Sequence, residues 1–213
     1  MKKTRLKILN NATDLFNRKG VGNVRLQDIA QQCSISPGNL SYHYKTKQAL
    51  MIGVLELMVS HHKNMSAESL AMIEDNKYLA ITKKYITFQI NHRFFQRDIL
   101  EIIKLVPESK SLFEKQMNQM INFTKNGLYL AADEGLIRPE PHDNYYQYFA
   151  KNIWGILNSW LIEREVFGEE KVSITNILIA IWEFHYPYFT EKGLIKYQEI
   201  RNQIPEMVAM SIG

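Results

Sequence analysis

Residues 26–47, LQDIAQQCSISPGNLSYHYKTK, restrict this chain more than any other stretch. Leu26, Ile29 and Ala30 share one face of a short helix, Ile35 falls in a turn, and Leu40 lies on the inner face of a second short helix. That spacing suits two helices packed at a steep angle across a tight turn. A small side chain is needed at Ala30, because the second helix crosses close to it. Ser36 offers its hydroxyl as a cap, and Pro37 suits the first helical position, where no N–H is required. Left outside are Asn39, Ser41, Tyr42, His43 and Tyr44, followed by Lys45 and Lys47. Donors, acceptors and cations on such a rod fit the major groove of double-stranded DNA.

The charge distribution points the same way. The chain has 213 residues and a formal charge of +4, but residues 1–50 hold nine Lys or Arg against two acids. A basic head on a mildly acidic body suits a nucleic-acid reader, since phosphate neutralisation supplies much of the affinity. The single cysteine, Cys33, allows no disulfide framework and no thiolate metal cluster within one chain, and reads as a small core residue. The start, MKKTRLKILNNATDLF, is basic and amphipathic without the apolar segment of a signal peptide. The longest apolar run, Ile177 to Trp182, is too short to cross a bilayer. A cytoplasmic protein with no membrane partner, no metal and no cofactor is expected.

Helical periodicity covers nearly the whole chain, which predicts an all-α fold. Helices are expected over about 3–19, 26–33 and 37–43, from Lys47 past His61, from Asp75-Asn76, near 98–105, and over about 108–134. Arg138-Pro139-Glu140-Pro141 reads as a loop. Two long helices follow, over about 143–167 and 173–190, and the tail from Gly193 reads as a short helix interrupted at Pro205. The expected division is a three-helix DNA-binding domain over 1–47 and a larger helical regulatory domain over 48–213. The last two long helices are apolar on most sides and must be buried on most sides. Phe149, Ile153, Ile156, Leu157, Trp160, Ile177, Ile181 and Trp182 are therefore expected at a homodimer interface.

The first fifty residues resemble the DNA-binding domain of the TetR/AcrR family of bacterial transcriptional regulators. The resemblance rests on Ile8, Leu9, Ala12, Leu15, Phe16 and Gly20 in the first helix, then Asp28-Ile29-Ala30, Ile35-Ser36, Gly38, Leu40, His43, Tyr44 and Lys47. Three positions depart from the family pattern. Arg25 stands where Thr or Ser usually caps the second helix, with Asp28 compensating through the helix dipole. Ser34 stands where Gly is frequent in the turn, and Ser41 where Tyr is frequent, with Tyr42 following it.

The resemblance implies a homodimer on a near-palindromic operator, released by a small-molecule inducer. Asn39, Ser41 and Tyr42 are then candidates for base edges, and His43, Tyr44 and Lys47 for phosphates. Lys2, Lys3 and Arg5 are candidates for a neighbouring phosphate or the minor groove, and Arg25 and Gln27 for backbone contacts, beside Ser36, Pro37 and Gly38 at the start of the reading helix. By helical phase, Phe88, His92, Asn122, Trp154 and Asn158 are candidates for the inducer pocket. Two alternatives stay open: a DNA-binding protein without a small-molecule ligand, and a helical enzyme. For the latter, His61-His62 and His92 are suggestive, but adjacent histidines on a helix point apart and no phosphate loop, nucleophile elbow or HExxH motif is present.

Overall fold

Helix α1 (Lys3–Lys19) stops at Gly20 and turns Ile8, Leu9, Ala12, Leu15 and Phe16 inward. Then come α2 (Leu26–Gln32), α3 (Pro37–His43) and α4 (Lys47–Glu74). The computed structural model describes residues 3–74, 78–166 and 174–209, with side chains except those of 64–74, 78, 79, 164, 165, 174 and 205–209. Among the described residues the periodic structure is helical throughout.

Each short helix is started by a side chain. The Asp28 carboxylate accepts the backbone N–H of Arg25 at 2.7 Å, so Asp28 anchors the start of α2 directly as well as through the dipole. The Ser36 hydroxyl accepts the Asn39 N–H at 3.2 Å, with Pro37 in the first helical position. Thr46 does the same for α4, accepting the Ala49 N–H at 3.0 Å. The turn between α2 and α3 places Ser34 at φ 55°, a left-handed backbone that a Cβ disfavours.

Val21, Val24, Ile29, Ala30 and Leu40 of the head and Leu50, Met51 and Val54 of α4 are all buried. Each large aliphatic side chain removed from water there is worth roughly 1.5–3 kcal/mol. Cys33 is fully buried, as a small core residue should be. Burial pushes its thiol up, and Lys7, whose ammonium donates to the Cys33 carbonyl at 2.9 Å, pulls it partly back. At Gly53 of α4 an added Cβ would sit 3.0 Å from Leu9 and 3.1 Å from the Tyr44 ring. The missing side chain lets α4 lie close to α1 and the end of α3.

The chain divides into two compact units, Met1–Ser111 and Leu112–Gly213. The first therefore reaches past the three-helix head expected over 1–47, taking in α5 (Tyr78–Asn91), α6 (Arg93–Arg97) and α7 (Ile99–Leu105). The break between α5 and α6 has no counterpart in the sequence pattern. The helix start expected at Asp75-Asn76 lies outside the described residues. Packing ties α6 to α1, with the Phe16 and Phe94 rings 5.8 Å apart.

Helix α8 (Ser109–Asp133) leads into the second unit, followed by α9 (Tyr145–Val166), α10 (Ile174–His185), a 3-10 turn at Tyr186–Tyr188 and α11 (Glu191–Ala209). Glu140 organises the loop before α9, accepting from the Tyr146 N–H at 2.8 Å and the Tyr129 hydroxyl at 2.9 Å. Two expectations are corrected here. Helix α10 ends at His185 rather than near 190, because the next residues tighten into the 3-10 turn around Pro187. The tail is one helix from Glu191 that continues through Pro205 to Ala209, at the loss of a single ladder bond. Its start is capped by Thr190, whose hydroxyl accepts the Gly193 N–H at 3.1 Å. Gly193 is required there, since a Cβ would fall 1.8 Å from the Leu136 carbonyl oxygen.

Replacing Ser34 by Gly relieves the left-handed strain. Ser34→Gly is expected to stabilise the fold by roughly 0.5–1 kcal/mol after the entropy of the unfolded glycine is set against it. A denaturant midpoint equal to or below the parent's would contradict this.

Candidate nucleic-acid interface

Helix α3 is held by one face and open on the other. Leu40 is buried beneath it, and the Ser36 cap and Pro37 fix where it begins. Ser36, Pro37, Gly38, Asn39 and Ser41 are exposed, and Tyr42 is 81% exposed. His43 is half-buried and meets the Tyr42 ring edge-on at 5.2 Å. Lys3, Arg5, Arg25 and Gln27 are exposed as well. An exposed tyrosine standing on a rigid rod offers a partner an apolar ring and a hydroxyl together.

Tyr44 departs from expectation. It is only 3% exposed, packed in the closest approach of α4 at Gly53, with the Arg5 guanidinium 5.3 Å above its ring. Its hydroxyl lies against the Gly53 position, so the phosphate contact expected of Tyr44 is withdrawn; the ring fastens α3 to α4 and α1. Lys47 is also drawn inward. Its ammonium donates to the Val21 carbonyl at 2.5 Å. Burial pulls it below the usual lysine range, against the Glu101 and Asp28 carboxylates. Lys45, by contrast, is exposed beside the end of α3, and the Thr46 cap leaves the amino-terminal end of α4 next to it. Thr46 was legible in the sequence as a hydroxyl residue just before an apolar periodic run.

The head is fixed to the rest of its unit at the end of α1. The Arg97 guanidinium donates to the Phe16 carbonyl at 2.6 Å and the Asn17 carbonyl at 3.2 Å. Both carbonyls lie in the last turn of α1, where a helix runs short of partners, and that of Phe16 also accepts the Gly20 N–H at 3.0 Å. The Asp98 carboxylate accepts the Val21 N–H at 2.8 Å, and Arg97 pairs with it at 2.9 Å. The loop that enters α2 is thus held from both sides, by Asp98 and by Lys47.

Of the candidate pocket residues, Phe88 and His92 are buried in the first unit with ring centroids 4.4 Å apart. In the second unit Asn122 is exposed, and Asn158 donates to the Trp154 carbonyl at 2.7 Å. The expected dimer residues fall into two groups. Phe149, Ile153, Leu157, Ile177 and Ile181 are buried within the single chain, while Ile156, Trp160 and Trp182 are half-buried. Phe149 packs on Phe184, His185 and Tyr188, each with centroids 4.9 Å away. A side chain already taken from water adds nothing further to an interface. The exposed apolar side chains of α9 are instead Tyr148 (60%), Ile162 (47%) and Val166 (71%).

Comparison with known proteins places both parts of the chain. Residues 8–54 match the family described as bacterial regulatory proteins of the tetR family, and residues 56–197 match TetR, described as a bacterial transcriptional repressor. The HTH-type transcriptional regulator RutR of Escherichia coli O157:H7 is 25% identical over 187 residues, covering 81% of this chain and 87% of that one. The uncharacterized HTH-type transcriptional regulator YerO of Bacillus subtilis (strain 168) is 28% identical over 148 residues, covering 65% of this chain. The matched part spans half of YerO's length. Among solved structures, a TetR-family transcriptional regulator from Marinobacter aquaeolei VT8 superposes with a TM-score of 0.79 at 22% identity, covering 96% of this chain and 99% of that one. A transcriptional regulator from Saccharomonospora viridis in complex with choline gives 0.69 at 16%, covering 90% and 100%. A gamma-butyrolactone receptor gives 0.68 at 13%, covering 97% and 98%. Among the described residues no helix is long and apolar enough to cross a membrane.

The two lysines at the head should separate in their effects. Lys47→Ala is expected to lower stability by about 1 kcal/mol, the worth of a partly screened charged hydrogen bond, as read from a denaturant midpoint. Lys45→Ala should leave stability unchanged and reduce the salt slope of duplex binding by about one. The reverse pattern in the two variants would overturn the assignment.

Proposed function

The chain belongs to the TetR family of bacterial transcriptional regulators, and on that footing we propose that it is a cytoplasmic repressor, a homodimer on a near-palindromic operator released by a small molecule. The observation that carries the reading is the outward face of α3, with Asn39, Ser41 and Tyr42 standing clear of a helix whose other side is buried. Asn39 suits a bidentate contact to adenine, and Tyr42 packs on a thymine methyl or donates to a phosphate. His43 and Lys45 take phosphates, with Arg25 and Gln27 at the start of α2 and Lys3 and Arg5 reaching the neighbouring backbone or minor groove. Lys47 acts through the loop it holds. These contacts bind and orient DNA, and none of them requires chemistry on a substrate.

The dimer surface we assign is the open face of α9. Tyr148, Asn152, Gly155, Ser159, Ile162 and Val166 recur at alternating steps of four and three, the spacing of a helix seam. A Cβ added at Gly155 would meet nothing within 4 Å, so a second helix has room to approach. An inducer is supported by the neighbours: one was solved with choline and another is a receptor for a gamma-butyrolactone. Such a molecule weakens DNA binding only by the difference in its affinity for the two head arrangements, and operator DNA weakens its binding by the same factor.

Selection of bound duplexes from a random pool tests the central reading. A two-fold symmetric site is expected, and enrichment of no symmetric sequence would sink it. On that site Asn39→Ala should relax preference at one base step in each half, by about 1–3 kcal/mol. For the interface, Ile162→Asp should convert the dimer to a folded monomer in sedimentation at micromolar concentration and abolish tight operator binding. A variant that still sediments as a dimer would rule out this face.

A further inference from the structure

Helix α5 ends at Asn91 and α6 begins at Arg93, so their break falls on His92, at φ −126° and ψ 33°. A continuous helix would return the Phe94 N–H to the Ile90 carbonyl and the Phe95 N–H to the Asn91 carbonyl. Here the Phe95 N–H donates to the His92 carbonyl at 2.9 Å instead. Of the groups this frees, the Phe94 N–H and the Asn91 carbonyl are both taken by one side chain of α1. The Phe94 N–H donates to Asn17 Oδ1 at 3.1 Å, and Asn17 Nδ2 donates to the Asn91 carbonyl at 2.7 Å. Asn17 is buried, and its amide is matched to a break rather than to a helix. The break is what gives the DNA-reading head this attachment.

His92 holds the break from the other side. Its ring Nδ1 lies 2.9 Å from the Phe88 carbonyl, which also accepts the His92 backbone N–H at 3.1 Å. A carbonyl only accepts, so Nδ1 carries the proton and a neutral ring presents Nε2 as a lone pair. The ring lies against Phe88 with centroids 4.4 Å apart, and 5.8 Å from the ring of His61 on α4. His62 meets the same Phe88 at 5.4 Å. Burial holds the His92 imidazole below the usual histidine range; His61 pushes it the same way, and the bond to Phe88 opposes both. His62 is lowered by burial too. From α1 and α6 the charged groups are Asp14, Arg18 and Arg93, which line an open cleft beside Asn17 and Asn91, and Arg97, which is engaged with the end of α1 and with Asp98.

We propose that the break at His92 is an acid-sensitive latch on the DNA-reading head, closed by neutral His92 and opened by its protonation. A proton on Nε2 places a cation between Phe88 and His61, where hydration is poor. Turning the ring to water relieves it and gives up the bond to the Phe88 carbonyl. The Phe94 N–H and the Asn91 carbonyl then rejoin the helical ladder, and Asn17 loses both partners. Arg97 and Asp98 still hold the end of α1, so the head loosens without detaching. The latched state binds fewer protons than the open one. Its stability is therefore complete above the ordinary histidine value of about 6.5 and is lost as pH falls below it. The consequence for DNA rests on the function proposed above, because a loosened head pays more to be ordered on the duplex.

The test is a titration of the full chain from about pH 8 to about pH 5 by nitrogen-edited and histidine-ring NMR, without DNA. The Phe94 amide and the Asn17 side-chain amide are expected to shift together with the His92 ring, with one midpoint below about 6.5. His61→Gln removes the like charge and should move that midpoint upward. His92→Gln keeps an amide donor for Phe88 and should abolish the transition. Phe94 and Asn17 signals that ignore His92 titration, or a transition that survives in His92→Gln, overturn the latch. Operator affinity on the selected site should then fall roughly tenfold over the same window in the parent and stay level relative to it in His92→Gln. An NMR transition with unchanged operator affinity would reject the regulatory role, whereas failure to bind any selected DNA at neutral pH would reject the proposed function and leave the latch standing.

Discussion

The end of α1 is where the reading head acquires a fixed direction. A helix leaves its last carbonyls short of partners, and here a guanidinium from another part of the chain reaches two of them. Arg97 bonds the Phe16 and Asn17 carbonyls, Asp98 bonds the Val21 N–H, and the Asn17 side chain fills the break after α5. Each hydrogen bond is worth only about 1 kcal/mol net, but leaving such groups buried and unmatched costs more. The asymmetry makes the arrangement specific: a few well-placed polar groups decide an orientation that apolar packing of Phe16 on Phe94 alone would leave free to slide.

A rigid base is what allows α3 to present an unusual surface. Tyr42 stands clear in water, and the helix beneath is pinned by Leu40, the Ser36 cap and the Tyr44 ring. Tyr44 packs where Gly53 lets α4 come close, and Lys47 ties the start of α4 to the loop before α2. The residues following the reading helix alternate between holding it and facing out, which is why one lysine serves the fold and its neighbour two positions earlier faces the solvent. The same division recurs on α9, whose Phe149, Ile153 and Leu157 build the chain's own core while Tyr148, Ile162 and Val166 remain outside.

Much of this was legible in the residues because it is local. Gly20, Ser36-Pro37 and the apolar spacing from Leu26 to Leu40 fix where three helices start and stop, and the left-handed turn at Ser34 follows from their tightness. The tail shows where local signals mislead: Pro187 ends α10 early, yet Pro205 does not interrupt α11. A proline forfeits one ladder bond in either place, and neighbouring packing decides whether the helix survives that loss. Helical phase also marks Phe149 and Ile153 as apolar and inward, but it cannot say whether inward means the same chain or a second copy.

What the sequence determined by itself is the all-helical class, the reading helix with its cap and outward face, and the concentration of positive charge in the first fifty residues. These depend on neighbours within a turn or two of helix, or on composition. What only the tertiary structure decided is the break at His92 and its filling by Asn17, the burial of Tyr44, the inward pull on Lys47 and the choice of face on α9. Each depends on a group 26 or more positions away, or on which side of a helix the rest of the chain happens to cover. Periodicity along the chain holds no record of either.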